Sequence, residues 1–237
     1  MWARPSLTLC CAALLASNAQ AGTITITPVN IALKFGQNSA MLQVKNTDSK
    51  PATIQLRVFG WAQLGNEDTL TPTSEFILSP PIATIPVGAT QTFRILLRSG
   101  SKIGSSVATF RILLDEIPSA EAQASQLGFV MRASIPVFVM PKVPPKPALS
   151  WQATRDGNGD VLLTVLNSST MYDKVGDLKV RNDDGTVLNT SPRGSNNYSL
   201  PLSQRQWSVE NSKAASRLHL SAGTRTGRTD QVISVGR

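Results

Sequence analysis

"LGFVMRASIPVFVMP", residues 127–141, is the stretch on which the fold turns. Side chains alternate along an extended chain, so Leu127, Phe129 and Met131 share one side while Val130 points the other way. Ile135, Val137, Phe138 and Val139 continue the run. Such a strand is apolar on both faces. At a sheet edge it would template aggregation, and natural edges are normally blunted or covered. Either it lies centrally in its own core, or something else buries it.

The segments upstream have the same character. "TITITPVNIALK" (23–34), "AMLQVKN" (40–46), "ATIQLRVFGW" (52–61), "FILSPPI" (76–82), "TQTFRILLR" (90–98) and "VATFRILLDEI" (107–117) are rich in β-branched and aromatic residues. Clusters of Gly, Pro, Asn and Ser bound them, and none sustains a helical period. With 127–141 they make seven strands, the pattern of an immunoglobulin-like sandwich. Trp61 is expected to pack in its core. Downstream, "MPKVPPKPALSW" (140–151) carries Pro141, Pro144, Pro145 and Pro147, a stiff extended linker that resists sheet pairing. The first domain is therefore placed at 22–141, the linker at 142–148 and a second domain at 149–237. "GDVLLTVLN" (159–167), "DLKVRN" (177–182), "YSLPL" (198–202), "RLHLSA" (217–222) and "QVISV" (231–235) read as strands of a second, smaller sandwich. "DGNG" (156–159) and "NDDG" (182–185) read as hairpin turns. The expected class is all-β, with two immunoglobulin-like sandwiches.

The amino terminus has the form of a secretory signal peptide, residues 1–21. Arg4 gives the positive start, 7–16 a short apolar segment, and Ala19-Gln20-Ala21 the cleavage site. Both cysteines, Cys10 and Cys11, lie inside it. The exported chain would have no disulfide framework and would fold on core burial alone. No apolar run is long enough for a membrane span, so no membrane insertion is expected. The net charge of +8 falls to +7 without Arg4, and the excess is scattered with no dense basic run. Nucleic acid is not an expected partner.

Catalytic and metal-binding patterns are missing. His219, the one histidine, alternates with Leu218 and Leu220 and reads as a strand residue. The usual zinc and copper ligand sets are absent, so no metal or cofactor is expected. "DGNGD" lacks the glycine and glutamate of a calcium loop. Asp115 and Glu116 are adjacent on a strand and so point to opposite faces, which is wrong for an acid–base pair. The chain does not read as an enzyme.

Four stretches together carry a family likeness: "ATIQLRVFGW" (52–61), "FILSPPIATIPVGATQTFRIL" (76–96), "FRILLDEIP" (110–118) and "LGFVMRASIPVFVMP" (127–141). Their order and spacing resemble the periplasmic chaperones of chaperone–usher pili. "LTPT" (70–73) and "RASIPVFV" (132–139) resemble the archaic, spore-coat-protein-U-type branch. "VLLTVLNSSTMYDKVGDLKV" (161–180) is similar to the family's second domain. The resemblance implies two sandwiches in an L-shape and a chaperone that lends its last strand to a pilus or fimbrial subunit, then delivers that subunit to an outer-membrane usher. It places the lent side chains at Leu127, Phe129 and Met131, with the opposite face serving the chaperone's own sandwich. A lent strand could also pair with a second copy of the chain. Members of the family typically hold the subunit's terminal carboxylate with an Arg in the first strand and a Lys in the last. The matching positions here are Asn30 and Pro136, so Arg111, Arg132 and Arg94 stand as alternative anchors. Each could instead be an internal ion pair or a surface arginine. Glu116 matches a position that helps fix the angle between domains, but its partner position is Met140. "PSAEAQASQ" (118–126) suits a mobile loop. A secreted structural or adhesive pilus component is the competing reading, because "TITITPVNIALK" alternates at its start as a donor extension would.

Overall fold

The computed structural model describes residues 24–101, 104–118, 131–194 and 196–236. The expected signal segment, Leu127, Phe129, Val130 and all of the 118–126 loop except Pro118 lie outside them.

The first ten strands are β1 (Ile24–Thr27), β2 (Ile31–Leu33), β3 (Ser39–Asn46), β4 (Ala52–Leu64), β5 (Glu67–Pro72), β6 (Phe76–Ser79), β7 (Ile82–Ile85), β8 (Thr90–Leu97), β9 (Ala108–Ile117) and β10 (Arg132–Val139). They form two facing sheets, one in the order β1-β3-β8-β6 and the other β2-β10-β9-β4-β5 with β7 also on β4. Alternation supplies the core between them. Leu42, Val44, Phe93 and Ile95 come from one sheet, and Ile54, Leu56, Ile112, Leu114, Ile135 and Val137 from the other.

Two stretches read as single strands are each split between the sheets. In 23–34, β1 pairs with β3 while β2 pairs in parallel with β10. In 76–82, β6 pairs with β8 and β7 with β4. Proline sits at both crossings (Pro28; Pro80 and Pro81). It has no N–H to give a ladder, so the strand leaves one sheet there and enters the other. The hairpin partner β5 has no apolar alternation and escaped the sequence reading. It turns back from β4 through Gly65 at φ +62°, at the first central position of a two-residue loop, where only glycine is comfortable.

The second ten strands are β11 (Leu149–Arg155), β12 (Val161–Asn167), β13 (Asp173–Lys174), β14 (Gly176–Arg181), β15 (Val187–Leu188), β16 (Thr190–Pro192), β17 (Tyr198–Ser199), β18 (Gln204–Val209), β19 (Arg217–Thr224) and β20 (Gly227–Gly236). Eight of them make one continuous sheet, β15-β14-β19-β20-β11-β12-β18-β16, beside a small β13-β17 pair. The sheet curls so that Trp151, Leu163 and Trp207 share one core with Val180, Leu218 and Ile233. β11 and β18 were not anticipated, because their small and polar outward residues dilute the apolar alternation. "YSLPL" contributes only the two residues of β17.

Candidate functional site

The register of β10 leaves part of it without a neighbour. On one side its whole length pairs with β9, from Arg132 opposite Asp115 to Val139 opposite Ala108. On the other side only Val137–Val139 are covered, by Ile31–Leu33 of β2. The Glu116 N–H donates to the Met131 carbonyl at 3.0 Å, and the Met140 N–H donates to the Leu33 carbonyl at 2.9 Å. Hydrogen-bonding groups alternate sides along a strand, so the main-chain groups of Arg132, Ser134 and Pro136 face away from β9. Among the described residues nothing pairs with this outer edge before β2 begins. Pro136 occupies a position where its missing N–H leaves no ladder bond unmade.

Side chains on β10 divide cleanly. Met131, Ala133, Ile135, Val137 and Val139 pack on the first sandwich's own core, Met131 and Ala133 only partly buried. Met131, expected among the lent side chains, thus also packs partly on its own sandwich, the role the expectation gave to the opposite face. The opposite face carries Arg132, Ser134, Pro136 and Phe138. Phe138 is 2% exposed, yet its partners are not the sandwich core. It stacks on Tyr172 of the second sandwich at 3.5 Å and 4° and lies 6.1 Å from Trp61. Trp61, Val107, Phe138, Met171, Tyr172 and Leu200 form a third buried cluster that joins the two sandwiches. Trp61 belongs to this joint and not, as expected, to the sandwich interior. The apolar-both-sides stretch has two cores to fill from Ile135 onward: its own, and the joint.

Polar groups surround the joint. The β4–β5 hairpin reaches across it, where Asp68 takes Arg205 of β18 and Asn196 as close partners. Arg205, 2% exposed, also donates from Nε to the Tyr198 carbonyl at 2.9 Å and from Nη1 to the Asn66 carbonyl. Gln63 Nε2 donates to the Tyr198 carbonyl at 2.9 Å. Sequence reasoning missed Asp68, because it lies on the unread β5, and Arg205. The available signal for Arg205 was its place in "QRQWSV": it falls on the same inward side as Trp207, and a charge there needs a buried partner.

The three candidate arginines go to three places. Arg94 is exposed on β8, in the sheet that does not contain β10. Arg132 is exposed and pairs with Asp115, which also takes Arg57 at 2.8 Å. Arg111 is 8% exposed and stands directly opposite Pro136 in the β9–β10 register. Its guanidinium lies 3.7 Å over the Trp61 ring and makes long contacts of 3.4 Å to the Ser134 carbonyl and hydroxyl. Its ion pair with Asp68 is loose, at 3.8 Å. Burial pushes the Arg111 pKa down from the guanidinium range, Asp68 and Tyr198 pull it back, and Arg205 lowers it further. A guanidinium stays protonated through such shifts, so this is a desolvated cation sharing one carboxylate with a second arginine.

Asp115 and Glu116 act on the start of β10. Burial pushes the Asp115 carboxyl up, but hydrogen bonds from Arg57 and Arg132 outweigh it and hold the pKa below the usual range. Glu116 does not bridge the domains; its Oε2 accepts the Met131 N–H at 3.2 Å. A folded-state pKa below the unfolded value of about 3.9 stabilises the protein above that pH and is lost as pH falls through the folded value. Asp115→Asn is therefore expected to cost about 0.5–1 kcal/mol at neutral pH, the scale of exposed pairs, and to flatten the stability loss below about pH 4. Urea unfolding across that range measures both.

Two immunoglobulin-like sandwiches, joined at a buried aromatic cluster and carrying an open-edged last strand, define the architecture of a pilus-assembly chaperone. Residues 23–144 match the pili and flagellar-assembly chaperone family, PapD N-terminal domain, and the chain belongs to that family. It is 30% identical over 113 residues to the chaperone protein MrkB of Klebsiella pneumoniae, which is 46% of this chain and 47% of that protein; the chain thus spans about half the length of the curated relative it matches. The fold is shared with the chaperone–tip subunit pre-assembly complex CsuC–CsuE of archaic Csu pili from Acinetobacter baumannii (TM-score 0.66, 23% identity, 91% of this chain and 100% of that one). It is also shared with the Salmonella enterica complex of SafA pilin with the SafB chaperone (TM-score 0.64, 15% identity, 90% and 97%).

Proposed function

We propose that the chain is a non-enzymatic periplasmic chaperone of the archaic branch, exported by its 1–21 signal segment, that lends β10 and the residues before it to pilus subunits and passes them to an outer-membrane usher. The observation that carries this is that, among the described residues, the outer edge of β10 between Met131 and Pro136 has no partner strand. Outward main-chain groups of Arg132 and Ser134 would meet a client strand there, with the Ser134 carbonyl already in long contact with Arg111. Exposed pilin grooves would otherwise aggregate, so covering one with a lent strand is a folding function in itself.

Arg111 is the anchor this reading favours. The last-strand position that holds a lysine elsewhere in the family is Pro136 here, and the residue opposite it supplies the cation from the neighbouring strand. Asp68 is shared between Arg111 and Arg205, which leaves one positive charge for a client's terminal carboxylate to meet. Arg94, on the other sheet, is not part of this reading.

The competing pilus-component reading needs a free alternating extension. Its candidate, 24–33, is already built into both sheets as β1 and β2. Co-expression with a pilus subunit tests the choice. The expected outcome is a soluble periplasmic complex of the two chains, reduced several-fold by Arg111→Met and unchanged by Arg94→Met. Recovery of the chain in sheared surface fibres would overturn the proposal.

A further inference from the structure

The outer face of β14, β19 and β20, on the second sandwich, has no part in strand lending. Register places Lys179 beside Ser221 and Asp230, and Arg181 beside His219 and Val232. Arg228 leans in from the start of β20, its Nη1 donating to the Ser221 hydroxyl at 2.8 Å. These residues line a groove of about 420 Å³. Among the described residues, Lys179, Arg181 and Arg228 form no ion pair. The nearby Asp183 is taken by Arg217 at 3.3 Å and His219 at 3.1 Å. Val232, 56% exposed, gives the groove an apolar spot. Beyond β14, the short β15 pairs only with Val180 and Arg181, so the chain at Lys179 is open on that side.

We infer that this groove docks an extended acidic segment of a partner polypeptide. Three cations against one carboxylate, Asp230, leave the groove net positive and favour an anion. The volume suits several side chains, far more than an inorganic phosphate fills. Asp230 inside the groove and Asp183 at its rim would repel a uniformly anionic membrane. A peptide can instead set its carboxylates on the cations and an apolar side chain on Val232. The site is separate from β10, so its test stands whether or not strands are lent.

Octaglutamate is the probe, titrated into the ¹⁵N-labelled mature chain at low and at roughly physiological salt. Amide shifts should map to β14, β19 and β20 and weaken markedly with salt. Lys179→Glu/Arg181→Glu should weaken binding about tenfold, while Lys45→Glu/Lys50→Glu on the first sandwich should leave it unchanged. Equal weakening by both pairs would reduce the effect to net charge and overturn the assignment, as would shifts that map elsewhere. Phosphatidylglycerol vesicles that bind at least as well as the peptide, and with the same dependence on Lys179 and Arg181, would replace it with a membrane surface.

Discussion

A Phe129→Asp/Met131→Asp chain should fold and yet capture no subunit. Each apolar side chain fully buried in a client groove is worth roughly 1.5–3 kcal/mol, and a carboxylate there costs more than the lost contact. Two such changes exceed what the remaining main-chain hydrogen bonds could hold. The two positions are not equivalent. Met131 already packs partly on its own sandwich, so Met131→Asp alone should also lower chaperone stability by about 1–3 kcal/mol. Circular dichroism with co-purification of a co-expressed subunit measures both, and wild-type capture by the double variant would sink the strand-lending mechanism.

The second large effect is expected at Phe138. Phe138→Ala removes the ring stacked on Tyr172 and opens the joint under Trp61, without touching the first sandwich's core. Phe→Ala truncations in buried sites cost about 3–5 kcal/mol. The loss should fall on the contact between sandwiches, so calorimetry should resolve two unfolding transitions where the parent is expected to show one. A single transition lowered by less than about 1 kcal/mol would mean that the aromatic cluster does not couple the two halves.

Periodicity made the sandwich class legible, because inward positions such as Leu42, Val44, Phe93 and Ile95 alternate without interruption. What it could not convey was which body buries a side chain. Phe138 and Trp61 look like core residues because they are large and apolar. Their burial comes from the second sandwich, and alternation within one strand carries no information about a neighbour in another domain. The same limit hid Asp68 and Arg205, whose meaning lies in their meeting. The sequence reading runs straight through the prolines of 23–34 and 76–82, although Pro28 and the Pro80–Pro81 pair mark changes of sheet. For the candidate site, sequence could nominate Arg111, Arg132 and Arg94 together but not rank them. The proposed preference for Arg111 rests on register, which sets Arg111 opposite Pro136 and Arg94 in the far sheet.

The open edge of β10 also has an end, and that end works as a ruler. A client strand laid along it can pair as far as Pro136 before β2 occupies the next position at Ile31. Pro136 offers a carbonyl there but no N–H, so the last rung is only half available. If β10 is lent, the client's register is set by where its chain must stop. Subunits whose terminal strand is one or two residues longer or shorter would present their carboxylate past Arg111 or short of it, and would be rejected by length before any side chain is compared.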